Sequence, residues 1–235
     1  MSNSHFEGKS VVEHLKAARK KGALASAEIH GTEIPGHISG GADSAKETCL
    51  ILLLAWVLFP LSLKTILLLA GGFFLWKVGR SALIGWARLE RLHRLIEEER
   101  WEIEHHREQE REELTALYRA KGLTGKLLDE TITVLMADDN RLLRIMLEEE
   151  MGLTLEVYEH PLKQSVGAGV GVLFATTFFL GGTLLASWGP LLTSAMAIAV
   201  AAFVAAKSEK NQLLEALVWT LSVAAFSVGA IYFLR

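Results

Sequence analysis

Residues 165–187, 190–206 and 213–234 are three apolar runs, each near the length of helix that crosses a hydrocarbon core. Such a core is about 30 Å thick and takes roughly 20 apolar residues of helix. The breaks between the runs are short: Trp188, Gly189 and Pro190 in one, and the charged Lys207, Ser208, Glu209, Lys210 and Asn211 in the other. A further apolar stretch, residues 49–76, is too long for one relaxed span and short for two, and Pro60 followed by Ser62, Leu63 and Lys64 divides it. On this division the first helix begins near Gly41, and the second continues past Trp76 through Lys77 and Arg80 to about Trp86. The sequence therefore predicts an all-α integral membrane protein with five transmembrane helices.

Composition removes other classes. The chain is 51% hydrophobic, but the apolar residues sit in blocks around one long charged stretch, unlike an ordinary soluble domain. With 24 Lys plus Arg against 27 Asp plus Glu there is no basic surface for phosphate backbones, so nucleic acid is not an expected partner. Cys49 stands alone, which leaves neither a disulfide framework nor a thiolate zinc site within one chain. No nucleophile with a base, no nucleotide loop and no closed His and Cys set marks an enzyme. Residues 1–22 carry charge without an apolar core and do not read as a cleavable signal. The basic, partly amphipathic stretch over residues 1–30 fits a helix on an anionic membrane surface and a disordered tail equally well.

The Lys and Arg bias of short loops orients the spans. Lys16, Arg19, Lys20, Lys21, the charged middle, Lys207 and Lys210 all fall on the cytoplasmic side if the N-terminus is inside, which leaves Lys64 and Arg235 opposite. The expected arrangement has the N-terminus and the middle segment cytoplasmic and the C-terminus on the far side. Lys77 and Arg80 lie about 18 and 23 Å along their helix from Thr65 and are expected to snorkel to the cytoplasmic interface. Glu215, one turn inside the last span, reads as interfacial. Gly167, Gly169 and Gly171 lack a preceding strand, so they read as packing or dimer-interface glycines rather than a nucleotide loop.

The segments expected are an N-terminal cytoplasmic stretch (1–40), spans one and two (41–87), a cytoplasmic helical lobe (88–160) and spans three to five (161–235). Within the lobe, residues 88–118 read as one continuous helix of about 45 Å, with Gly122 as its cap. A helix over 125–136 follows, and then one opened by Asp138 or Asp139 and closed by Gly152. Leu92, Ile96, Ile103, Leu114 and Leu117 form an apolar stripe that faces Leu127, Leu128, Ile132, Leu135, Leu142, Leu143, Ile145 and Leu147.

On a continuous helix Glu99, Glu102, His106, Glu110 and Glu113 share a wedge of about 80° beside the stripe, while Met146 and Glu150 are one turn apart on the third helix. Spacing alone leaves two readings open. One is a two-walled metal site. The other is a solvated helix whose Arg100, Arg107 and Arg111 make surface ion pairs of little energetic weight, with Met146 filling the core.

The stretches EIEHHREQEREELTALYRAKGL and MLEEEMGL, with Pro161 opening the next apolar run, resemble the vacuolar iron transporter family. That family's paired E-x-x-E motifs, seven residues apart, are matched by Glu99, Glu102, Glu110 and Glu113, and its M-x-x-x-E by Met146 and Glu150. GGADSA resembles the entry to the family's first span and places Asp43 at its aspartate. The resemblance implies five spans with a three-helix metal-binding lobe between the second and third. It also implies a homodimer that exchanges cytosolic Fe2+, with Mn2+ or Zn2+ as further candidates, for protons. The metal ligands it implies are Glu99, Glu102, Glu110, Glu113, Met146, Glu150 and Asp43. In the second span the family's S-M-A-A-G-E reads SALIGW, with Ala82 at the methionine and Trp86 at the glutamate. This departure keeps a second reading in view, a membrane-anchored metal-binding or scaffold protein without transport.

Overall fold

The computed structural model describes residues 10–26, 36–153, 160–185 and 187–235, and among them the chain is helical, without a strand. In chain order the helices are α1 (Val11–Ser26), α2 (His37–Leu58), α3 (Leu63–His105), α4 (Arg107–Ala120), α5 (Gly125–Leu135) and α6 (Asp139–Ile145), then α7 (Pro161–Thr183), α8 (Gly189–Ser208) and α9 (Leu213–Leu234). A π-helical turn, Met146–Glu150, continues α6. The chain divides into two compact units, Met1–Gly31 with Ala87–Tyr158 and Thr32–Trp86 with Glu159–Arg235. Helix α3 contributes to both.

In the second of these units, four helices among the described residues, α3, α7, α8 and α9, are long and apolar enough to cross a membrane. This fits an integral membrane protein. Helix α2 is as long, but Asp43, Lys46 and Glu47 interrupt its apolar surface. It ends where Pro60 forces the preceding Phe59 into extended backbone, φ −136 and ψ 148. The hydroxyl of Ser62 then accepts the Thr65 N–H at 3.2 Å and opens α3. The break expected at Pro60 is therefore a capped chain reversal. Helix α7 starts four residues earlier than hydropathy suggests, because Pro161 suits a first turn and His160 Nδ1 accepts the Leu162 N–H at 3.2 Å.

The glycines of α7 pack within the chain. A Cβ on Gly167 would lie 2.0 Å from the His37 carbonyl oxygen, and one on Gly171 would lie 1.9 Å from that of Gly41. Backbones of α2 and α7 thus touch along a small-residue seam. Gly169 faces α3 instead, where a Cβ would meet Phe74 at 3.0 Å and Val78 at 3.1 Å. Of the two roles expected for these glycines, packing is the one observed. Around the seam Ala42, Ala45, Cys49, Ala175, Ala197 and Ala201 form a core of small side chains. Helix α9 buries only Val228 and exposes Leu214, Trp219, Phe226 and Phe233, a surface suited to lipid.

The first unit has its own core, built on Leu92, Ile103, Leu114, Leu128, Ile132, Leu142, Met146 and Leu147. This joins the stripe expected on residues 88–118 to the apolar faces of the helices that follow. Asp138 caps α6 by accepting the Arg141 N–H at 2.8 Å. Gly152, at φ +70, lets the Leu153 N–H reach the Leu147 carbonyl at 2.9 Å and closes the π turn.

Two expectations change here. The single helix over residues 88–118 is broken at His106, with φ −128 and ψ 31, so that α3 stops at His105 and α4 starts at Arg107. Neither Pro nor Gly marks this break; Trp101 instead stacks on His105, ring centroids 4.5 Å apart, and meets His106 edge-on at 5.4 Å. The basic N-terminal stretch, in its described part, forms α1 and packs on this unit, with Ala18 inside the core.

Candidate metal centre

A straight helix would hold Glu99 and Glu110 about 16 Å apart along its axis. The break at His106 removes that separation. Carboxylate oxygens of Glu99, Glu102 and Glu110 lie within 4.8 Å of one another. The expected wedge therefore becomes a cluster formed by the end of α3 and the start of α4.

Glu113, one turn beyond Glu110, joins a second set. Oxygens of Glu113 and Glu150 and a ring nitrogen of His14 also lie within 4.8 Å of one another. Glu150 is carried by the π turn, whose wider i to i+5 pattern is seen in the Met151 N–H to Met146 carbonyl bond of 3.3 Å; such turns recur at functional sites. Glu99, Glu110, Glu113 and Glu150 are each no more than 2% exposed. Met146, fully buried, packs in the apolar core of the same unit.

Burial together with nearby acidic side chains raises the proton affinity of two of these carboxylates, Glu110 and Glu150. Glu110 is pushed up to about 10, first by burial and then by the charges of Glu99, Glu113 and Glu102. Glu150 is also pushed up to about 10, again first by burial, then by Glu113, Glu99, Glu110 and Glu102. The influence of Glu99, Glu102 and Glu110 on Glu150 ties the two sets into one electrostatic cluster. Such a cluster offers hard oxygen donors to a divalent cation, with an imidazole at one edge.

Six of the seven residues expected as ligands belong to this unit. Asp43 belongs to the other, where its carboxylate pairs with Lys46 at 2.5 Å. On the next turn Glu47 pairs with Lys77 of α3 at 3.3 Å. Lys77 is 1% exposed, which corrects the expectation that it snorkels to the interface: its ammonium is buried against a carboxylate of a neighbouring helix.

His14 was not among the expected ligands, although the sequence held a signal for it. Ser10 and Glu13 form a capping box: the Ser10 N–H reaches Glu13 Oε2 at 3.0 Å and the Glu13 N–H reaches Ser10 Oγ at 3.3 Å. Behind it Val11, His14, Leu15, Ala18 and Gly22 recur at helical spacing.

The fold and this cluster define a helical membrane protein with an acidic, metal-competent unit. The model of the VIT family, the vacuolar iron transporters, matches residues 87–234, and the chain belongs to that family. Its members move metal across membranes, so membrane metal transport is the activity that membership indicates. The matched region begins after α2 and leaves out His14 and Asp43. No curated protein and no solved structure matches the chain.

Proposed function

We propose that this protein carries Fe2+, and with it Mn2+, out of the cytosol across a membrane in exchange for protons, and that the acidic unit is a cytoplasmic lobe that collects the ion. The observation that carries the reading is the burial of Glu99, Glu110, Glu113 and Glu150 from three separate elements around shared space. Burying like charges this closely is unfavourable unless protons or a cation neutralise them. Met146, one turn before Glu150 in sequence, is the soft thioether that this reading assigns to the site, and such a donor disfavours Mg2+ and Ca2+. In this reading α2 is the fifth span, with Asp43 as a ligand on the path, and the remaining spans are α3, α7, α8 and α9. The N-terminus and lobe are cytoplasmic, the C-terminus lies opposite, and two copies form a homodimer.

The test is Fe2+ uptake into proteoliposomes under an imposed pH gradient, with Glu102→Ala combined with Glu150→Ala beside the unaltered protein. Flux that depends on the gradient and falls in the double variant supports the proposal.

One observation favours a second reading, a membrane-anchored metal-binding protein that does not transport. Ala82 and Trp86 stand in the second span where the family's motif carries a methionine and a glutamate, so that helix lacks those two donors for a passing metal ion. Metal binding that depends on the lobe, with no flux, selects this reading.

A further inference from the structure

Helix α1 is fixed on the lobe by backbone contact. A Cβ on Gly22 would lie 2.1 Å from the Met151 carbonyl oxygen, so only glycine lets α1 approach the end of the π turn this closely. Ala18 is 5% exposed in the lobe core, and Lys21 lies 3.9 Å from Glu98. This seating directs His14 at the carboxylates. Its Nε2 is 3.7 Å from Glu113 Oε1 and 3.7 Å from Glu150 Oε1. Both distances exceed a good hydrogen bond. Glu150 Oε1 is buried and accepts no hydrogen bond. Donor atoms that share one transition-metal ion, with bonds of about 2.1 Å, sit about 3.0–3.4 Å apart, so the imidazole needs to close by only a few tenths of an ångström on each carboxylate, whose oxygens lie within 4.8 Å of each other.

We propose that His14 is a metal ligand supplied by the N-terminal helix, which with Glu113 and Glu150 forms a mixed nitrogen and oxygen position for a borderline divalent ion. The position rests on the reading of the lobe as a metal-collecting site and adds to it a source of selectivity. Imidazole favours Fe2+, Co2+ and Zn2+, whereas all-oxygen sites suit Mn2+, Mg2+ and Ca2+. His14 thus biases a carboxylate lobe toward iron and away from manganese. It also makes α1 part of the site, so that metal and helix hold each other in place.

The experiment is calorimetric titration of the full-length, detergent-solubilised protein with Co2+ and with Mn2+, for the unaltered chain, His14→Ala, His14→Gln and Glu102→Ala. X-ray absorption of the Fe2+-loaded unaltered and His14→Gln proteins accompanies it. The expected result is a Co2+ affinity lowered about tenfold or more in both His14 variants, a Mn2+ affinity changed less than about threefold, and loss of imidazole scattering in His14→Gln. Unchanged Co2+ affinity overturns the proposal, as does an equal loss for both ions, which assigns His14 a purely structural role. In those cases a Glu102→Ala variant that still loses binding leaves the lobe reading standing. No metal binding by the unaltered protein overturns both readings.

Discussion

Glu99 and Glu110 are eleven residues apart, yet their carboxylates share one cluster with Glu102, donor atoms within 4.8 Å. Without metal the Glu110 carboxyl is held protonated at neutral pH, because burial and its acidic neighbours push it up to about 10, so folding must take up a proton that the unfolded chain has released. The isosteric Gln keeps the shape and needs no such proton. The metal-free protein is expected to gain about 1–2 kcal/mol of stability while metal affinity falls about tenfold or more, a trade common at functional sites. Thermal unfolding in chelator, set beside a Co2+ titration, checks both halves.

The pH response follows from Glu110 and Glu150, each raised from 4.5 to about 10. Between those values the folded state holds protons that the unfolded state has released, so stability is full below pH 4.5 and is lost as pH rises toward 10. The slope is at most about 1.4 kcal/mol per pH unit for each group. Unfolding of the metal-free protein should therefore occur at lower temperature at pH 8.5 than at pH 6. Glu110→Gln with Glu150→Gln should flatten the trend, and saturating metal should do the same by replacing protons. A metal-free protein whose unfolding temperature rises over this range contradicts the assignment.

Lys77 and Glu47 pair between α3 and α2, with the ammonium side chain 1% exposed and the carboxylate side chain 49% exposed. Lys77→Met leaves a half-exposed carboxylate, whereas Glu47→Gln takes a counter-charge from an ammonium that is 1% exposed. Glu47→Gln is expected to destabilise by roughly 1–3 kcal/mol, Lys77→Met by less, and the double change by less than the sum. A thermal double-mutant cycle in detergent measures the coupling.

Gly171→Ala places a methyl group against the Gly41 carbonyl, whereas a Cβ on Gly181 of the same helix meets nothing within 4 Å. The first change must push two backbones apart, with an expected loss of roughly 2–3 kcal/mol, and the second is expected to be neutral or slightly stabilising. Equal unfolding temperatures for the two variants would show that the α2 and α7 seam does not hold this unit together.

What the sequence determined by itself is local. Apolar length marked α7, α8 and α9, Pro60 ended α2, and Gly122 and Gly152 closed their helices, because each depends on a few neighbouring residues. Spacing alone left the acidic wedge open between a metal site and a solvated face, and it was the resemblance to the vacuolar iron transporter family that named Glu99, Glu102, Glu110, Glu113, Met146 and Glu150 as one group. Tertiary structure decided the rest. Good helix formers run through residues 88–118, so propensity favours a straight helix, whereas in the structure the chain breaks at His106 and Ile103 and Leu114, from either side of the break, share one core, with Glu110 beside Glu99. His14 and Glu150 are 136 positions apart in the chain, as Lys77 and Glu47 are 30. Such pairs arise when helices dock, because burial energy is gained across the fold and no short window of sequence contains both partners.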